Sequence, residues 1–442
     1  MQWNRRSFLG AIFGSGVFYS AASLARSLNA DRFFAGGQSP KVGFSILQGM
    51  TDESSAQFSA VLPKGAYTVE ISDGAIRLPS QVLVVERAFS DFTVHKVNVQ
   101  GLSLGIVYTL RVRDAQGGTV DERVFRALDL SDRRVKLGLV SCQLDLLHHD
   151  DIWNEVAARK VDMLFFLGDN VYCDRTSLVR KVPADPKQLW ERYVLSRNRV
   201  AFYFAKELVP VLATWDDHDF GTDNGDQTYT YKSESAEIFA AFFAQEVRPS
   251  LVAGPGIARR FSAFGADFYL LDGRTFRSPA GVADGRMFGA DQDTWLYGSL
   301  ADKPMLFING SLFFGAYQKG ESFEGQFSAN FSEFLERLKA ASGPCAFVSG
   351  DVHYSEIMDV EAAHLGYPSF EIVSSSIHSL TFPGHERRFN NPRRRSGIAT
   401  GGHNFVVFEG EFSAGQIRGD VTSYSATKVE FTTPVFCDKF SS

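Results

Sequence analysis

Apolar and polar side chains alternate in short runs between residues 40 and 128. Examples are Gln57-Phe58-Ser59-Ala60-Val61 and Tyr67-Thr68-Val69-Glu70-Ile71, and the pattern returns over 81–85, 93–99, 108–113 and 120–125. Turn-forming sequences separate the runs: Pro63-Lys64-Gly65, Ser72-Asp73-Gly74 and Gln116-Gly117-Gly118. A period of two is that of a half-buried strand. Short strands at this spacing predict a β-sandwich of about a hundred residues. The Cys…Trp…Cys spacing of immunoglobulins is missing, so a fibronectin-type sandwich is expected. It carries no chemical constellation; its expected part is to pack against the region that follows and to shade it.

After Ser131-Asp132-Arg133-Arg134 the pattern changes. Helical periodicity appears over 151–160, with Ile152, Trp153 and Val156 on one face, and over 186–207, which opens on Pro. It recurs over 233–247, with Ile238, Phe242 and Phe243 inward, and over 331–341. Apolar strand-like runs lie between these segments, and β runs return from 404 to 436. Mixed strands and helices followed by β meanders predict an α/β domain of two sheets held between helices. The chain therefore divides into a leader over 1–30, a sandwich over 31–130 and a catalytic domain over 131–442.

Four apolar runs end in chemistry. Residues 135–140 lead into Ser141-Cys142-Gln143, and 163–167 into Gly168-Asp169-Asn170-Val171-Tyr172. Residues 210–213 lead into Trp215-Asp216-Asp217-His218-Asp219, and 346–348 into Ser349-Gly350-Asp351-Val352-His353. Ligands bind outside the carboxyl ends of strands in open α/β sheets. Adjacent buried acids are costly unless a cation or hydrogen bonds offset them. Hard oxygen donors beside Cys and His point to metal, and to more than one ion. Asp169 can bridge two cations, and Asp351 and His353 lie on one side of an extended segment. His218 is either a ligand or the proton donor to a leaving group, with Asp219 or Asp216 as its orienting acid. Arg274 and Arg277 follow a further strand, 268–271, and can hold phosphate oxygens; the structural alternative is an Arg274–Asp272 pair. His148, His149 and His378 are looser candidates.

Composition and charge narrow the field. Asn4-Arg5-Arg6-Ser7-Phe8-Leu9 precedes an uncharged, weakly apolar stretch over 10–24, the pattern of a twin-arginine export signal. The expectation is a protein handed to that export machinery, cleaved after Ala25 or Ala30, and soluble in the periplasm or outside the cell. No other segment is apolar and long enough to span a bilayer. A formal charge of −6 gives no footprint for nucleic-acid backbone binding. The one basic cluster, Arg387-Arg388 to Arg393-Arg394-Arg395, is read as a solvated loop, the alternative being attraction of an anionic substrate. Cys142, Cys173, Cys345 and Cys437 form no CxxC pair, which excludes a zinc ribbon or a disulfide framework. Export would permit one disulfide among Cys173, Cys345 and Cys437.

The four motifs, in this order and behind an export signal and a β-sandwich, resemble the alkaline phosphatase D family of metallophosphoesterases. Ser141-Cys142-Gln143 stands where ordinary metallophosphoesterases open their site with DxH. The resemblance implies a four-layer α/β/β/α domain that hydrolyses phosphate mono- and diesters, with iron(III) and calcium as cofactors and other divalent metals compatible. By motif, Cys142, Asp169, Tyr172 and His353 would hold the iron-like ion. Asp169 would bridge to the second ion, completed by Asp217 and Asp351. Asn224 would approach that ion, with Asp223 as the alternative, and His218 would act on the leaving group. The reaction implied is direct attack on phosphorus by a hydroxide activated on metal, assisted by Arg274 or Arg277. No counterpart of a long lid helix follows Phe436. Two other readings remain: a phospholipase D-like hydrolase of lipid head groups, and a non-catalytic exported metal-binding protein.

Overall fold

The computed structural model describes residues 43–147, 149–178, 180–315, 321–381, 384–388 and 390–440; the export-type segment and His148 lie outside them. Eight strands come first: β1 (Ser45–Thr51), β2 (Ser55–Pro63), β3 (Thr68–Ser72), β4 (Arg77–Leu78), β5 (Ser80–Glu86), β6 (Phe92–Gln100), β7 (Val107–Arg113) and β8 (Thr119–Arg126). They form two sheets, ordered β1-β2-β6-β5 and β4-β3-β7-β8, with every pairing antiparallel. The alternation read from the sequence is the alternation of faces. Phe58, Ala60 and Leu62 of β2 point into the sandwich, where Phe58 meets Phe125 of β8 edge-on at 4.8 Å. Val61 of β2, with Leu47 and Val94, points the other way into the helices of the second region.

That region holds α1 (Asp150–Ala158), α2 (Pro186–Arg199), α3 (Asp217–Phe220), α4 (Lys232–Phe242), α5 (Gly289–Gly298) and α6 (Ser328–Ala340). Its strands are β9 (Arg134–Val140), β10 (Met163–Leu167), β11 (Val211–Thr214), β12 (Leu251–Ala253), β13 (Arg259–Ala263), β14 (Ala266–Leu270), β15 (Met305–Ile308) and β16 (Cys345–Ser349). They continue with β17 (Ser355–Val360), β18 (Ser369–Val373), β19 (Arg394–Thr400), β20 (Phe405–Ser413), β21 (Gln416–Tyr424) and β22 (Val429–Asp438). One sheet runs β11-β10-β9-β20-β21-β22, the other β12-β13-β14-β15-β16-β18-β17-β19. Each has a parallel block: β11, β10 and β9 at one side of the first, and β14, β15, β16 and β18 in the middle of the second.

The layers follow from side-chain direction. Met163, Phe165 and Leu167 of β10 enter the core between the sheets, where Phe165 stacks on Phe268 of β14 at 5.3 Å. Leu164 and Phe166 enter the core under α1, α2 and α4. On the far face of the second sheet, Phe307 stacks on Tyr269 at 5.0 Å and meets Phe334 of α6 at 5.6 Å. The order is helix, sheet, sheet, helix, the four-layer architecture expected.

Two helices are shorter than their periodicity. The segment expected to run to Glu207 stops at Arg199, where Val200 turns extended and a 3-10 turn, Ala201–Phe204, sets Phe202 against Trp153 and Phe166. The segment expected to run to Val247 stops at Phe242. Its carbonyl accepts from Arg197 and from Ser59 Oγ, while Glu246 N donates to Gln57. The sandwich thus takes the groups that a further helical turn would use.

Candidate metal centre

Parallel strands send their carboxyl ends to one edge, and the four motifs follow those ends: Cys142 after β9, Asp169 after β10, Asp217 after β11, Asp351 after β16. Beyond the strands, Cys142 N donates to Gly168 O at 3.1 Å and Gly350 N to Gly310 O at 2.9 Å, so the loops stay in register. Close approach of backbones here needs glycine. A Cβ on Gly168 would lie 2.8 Å from Asp216 Cβ, and one on Gly310 would lie 2.5 Å from it. Cys142, Asp169, Asn224, Asp351 and His353 all have left-handed backbone, with φ between 52° and 68°. Each such non-glycine conformation costs about 1 kcal/mol or more and concentrates at functional sites.

Cys142, Asp169 and His353 present ligand atoms within 4.8 Å of one another; so do Asp216, Asp217 and Asp351, and Asp169, Asp217 and His218 link the two groups. Tyr172 Oη lies 3.4 Å from His353 Nε2. The donor set fits cations, and the carboxylates say so directly. Asp217 Oδ1 and Asp351 Oδ2 are shielded from solvent yet have no hydrogen-bond partner among the described residues, a cost a fold does not normally carry. Burial raises Asp169, and its acidic neighbours raise it further; burial also raises Asp351, as do Glu321 and the aspartates around it. Burial lifts the Cys142 thiol and Tyr172 phenol well above their usual ranges, with Asp169 adding to both. Serines attend them: Ser375 Oγ lies 3.1 Å from Cys142 Sγ, and Ser379 Oγ donates to Tyr172 Oη at 2.9 Å. Burial holds His353 down at about 4, so its ring is neutral and available as a ligand.

His218 is arranged differently. Its Nδ1 lies 2.7 Å from Asp174 Oδ1, and its Nε2 lies 4.0 Å from Asp217 Oδ1. Burial alone would lower its pKa, but Asp217, Asp169 and Asp174 outweigh burial and raise it to about 9. The orienting acid is Asp174, not the expected Asp219 or Asp216. Asp219 accepts from Val171 N and Asp216 N, closing a capping box at the start of α3. It is a backbone anchor and does not touch the imidazole. Asp216 instead accepts from Arg274 Nε at 2.5 Å.

That bond also corrects both readings of Arg274. Its guanidinium donates to Asp216, Ser311 Oγ and Gly225 O, so it buttresses the loops and is not presented to a ligand. Asp272, the partner expected for it, receives Trp215 Nε1 and the Arg274 backbone amide. Arg277 is buried beside Ser311 and Gln326 with no carboxylate at ion-pair distance among the described residues. Burial and then Arg274 lower it to about 10. Asn224 approaches Asp217 through its backbone N, at 2.5 Å, while its side chain is exposed. Asp223 is held by Lys181 at 2.5 Å and offers an oxygen to the Asp174–His218 pair.

Three site residues escaped the sequence reading. Asp174 lies five positions beyond Asp169, in a turn with no motif of its own. Glu321, hydrogen-bonded to Asp351 and raised chiefly by burial, arrives from a loop between β15 and α6. Ser311 follows β15 and braces Asp216 and both arginines. The looser candidates fall elsewhere: His378 accepts from Trp153 Nε1 and also contacts Leu147 O, and the His149 ring lies tilted against that of His403, centroids 4.0 Å apart. In the basic cluster Arg393, Arg394 and Arg395 pair with Glu324 and Glu361, Glu356, and Asp359, so much of its charge is neutralised. All four cysteines are free and buried.

No curated protein matches the chain. A solved structure described as that of PhoD superposes with a TM-score of 0.65 at 16% identity, over 91% of this chain and 90% of that one; the likeness shows a shared fold. A predicted phosphoesterase of Streptococcus pneumoniae TIGR4 aligns at 11% identity over 69% of this chain and 98% of that one, with a TM-score of 0.26 too low to argue from. The sequence profile of the PhoD-like phosphatases matches residues 137–429, a stretch that contains all four motifs and most of the chain. On that match the chain belongs to the PhoD-like phosphatase family, and it is a phosphoesterase.

Proposed function

We propose that the chain is an exported, metal-dependent phosphodiesterase and phosphomonoesterase, with Cys142, Asp169, Tyr172 and His353 holding one ion and Asp169, Asp217 and Asp351 a second. The observation that carries this is the pair of orphaned, shielded carboxylate oxygens, Asp217 Oδ1 and Asp351 Oδ2, beside a thiol, a phenol and a neutral imidazole. Thiolate and phenolate suit a trivalent iron, and an all-carboxylate set suits calcium or another divalent ion. Bound metal supplies a Lewis acid for the phosphoryl oxygens and makes water acidic enough to act as the nucleophile.

The chain's own groups do the rest. Asp174 fixes the His218 tautomer with a proton on Nδ1, so Nε2 is the working nitrogen. In the metal-free fold Asp217, Asp169 and Asp174 raise His218 to about 9, which favours its protonated form, and its Nε2 is the atom able to pass a proton to the departing alkoxide. Arg277 is a buried cation with no carboxylate at ion-pair distance among the described residues, suited to the negative charge that grows in the transition state. Arg274, through Asp216 and Ser311, keeps the loops at their spacing. The paired arginines and weakly apolar run near the start support export by the twin-arginine route.

The deciding experiment is nitrophenol release from bis-nitrophenyl phosphate by metal-replete protein, with and without chelator. Turnover that chelation abolishes and metal restores is the expected result. Full metal occupancy with no turnover of diester, monoester or lipid head group would leave only a binding role. Cell fractionation of the parent and of an Arg5→Lys, Arg6→Lys variant tests export; equal periplasmic yield from both sinks the twin-arginine assignment.

A further inference from the structure

The sandwich ends in an unguarded edge. Among the described residues, β5 pairs with β6 along one side and with no strand along the other. Edge strands are usually blunted by a central Lys, a Pro, a bulge or a covering element, because a bare edge templates pairing with another chain. Among the described residues, β5 has none of these. Its register against β6 runs unbroken from Ser80↔Val99 to Glu86↔Thr93, and its centre reads Gln81-Val82-Leu83-Val84-Val85, without charge or Pro. Leu83 is 61% exposed, Val82 43% and Val84 46%, with Ile76 and Phe89 exposed near the strand's two ends. Scattered apolar residues at a surface need no explanation, but a row along a free strand edge does.

We propose that β5 is a homodimer seam, pairing antiparallel with β5 of a second copy. The strand's self-complementarity singles out that partner. A twofold axis perpendicular to the sheet keeps each side chain on its own face, so residues of like parity must meet across the seam. Complete overlap of Ser80–Glu86 with itself meets this condition and sets Leu83 on the axis. Leu83 then faces Leu83 of the second copy, and Val82 faces Val84 on the other face of the sheet. Gln81 faces Val85, and at each end the Ser80 hydroxyl faces the Glu86 carboxylate. No two like charges oppose each other, and the Leu83–Leu83 and Val82–Val84 pairs set apolar side chains together at the centre. Two four-stranded sheets become one of eight strands. One strand pair is a small interface beside the roughly 1,000 Å² of stable complexes, so the association is reversible. β5 contributes no residue to the metal centre.

Analytical ultracentrifugation of the protein across rising concentration is the test. The expected result is a monomer that passes to dimer with loading. Leu83→Lys, which sets two ammonium groups together on the axis, should keep the protein monomeric while leaving melting temperature and ester hydrolysis unchanged. Leu83→Cys should cross-link the two copies on mild oxidation, since the native thiols are buried. A parent protein that stays monomeric throughout overturns the proposal. A Leu83→Lys variant that dimerises like the parent, or a dimer that Leu83→Cys does not cross-link, overturns it as well.

Discussion

The sandwich and the catalytic edge bury charge in opposite ways. In the sandwich, Arg123 and Asp121 are both fully buried, and each is answered: two bonds of 2.8 Å join them, and the guanidinium also donates to Ala205 O and Phe44 O. At the catalytic edge, Asp169, Asp216, Asp217, Asp351 and Glu321 crowd together; among the described residues Asp217 Oδ1 and Asp351 Oδ2 are left over, and Asp169 and Asp351 sit on left-handed backbone. A satisfied buried ion pair joins parts of a fold. An unsatisfied cluster of acids is a place where the fold has been left incomplete for something it binds.

Substitutions separate the two cases. The largest effect belongs to Asp169→Asn, expected to lower diester turnover by about three powers of ten or more, since a metal site supplies several kcal/mol to the transition state. Its metal-free melting temperature should equal or exceed the parent's, because a buried, repelled carboxylate has gone. Near-normal turnover would sink the metal assignment. Arg123→Met should do the reverse: it leaves buried Asp121 without its guanidinium partner and costs about 3–5 kcal/mol of stability, read by urea denaturation, with turnover per folded molecule unchanged.

Chelation sharpens the comparison through pH. Saturating metal should stabilise by about 3 kcal/mol at a hundredfold excess over its Kd. Asp169 and Asp351 have raised pKa values in the metal-free fold. Their contribution to metal-free stability is therefore full below the ordinary carboxylate range and lost as pH rises through the raised values. The gap in melting temperature between loaded and stripped protein should widen from acid to neutral and alkaline pH. A gap that narrows as pH rises would contradict the buried-acid account. Smallest is Asp174→Asn, expected to lower kcat by roughly 10–100-fold, as outer-shell partners of imidazoles do. One of the acids raising His218 is then lost, so the alkaline limb of the rate profile should move to lower pH. A merely structural Asp174 would lower activity without moving that limb.

Much of this was legible in the order of residues. The period-two runs gave the sandwich strands, and the apolar runs before Cys142, Asp169, Asp217 and Asp351 placed those side chains at strand ends, because both rest on local periodicity and on parallel strands sharing one carboxyl edge. The misassignments have one character. Asp219 stands beside His218 in sequence, yet a helical start turns it to the backbone, and Asp174 reaches the imidazole from a separate loop. The local sequence offers Arg274 either to phosphate or to Asp272, yet Asp216, 58 residues away along the chain, takes it up. The extra turns expected of α2 and α4 were lost to contacts from elsewhere, among them Arg197 and Ser59 at the end of α4.

By itself, the sequence determined the layers, the family and the chemical types gathered at the site, since these follow from side-chain period and from motifs read within a few positions. The tertiary structure decided which acid answers which base. Hydrogen bonding and Coulomb forces act over a few ångströms of space, and chain order does not say which loops will be that close.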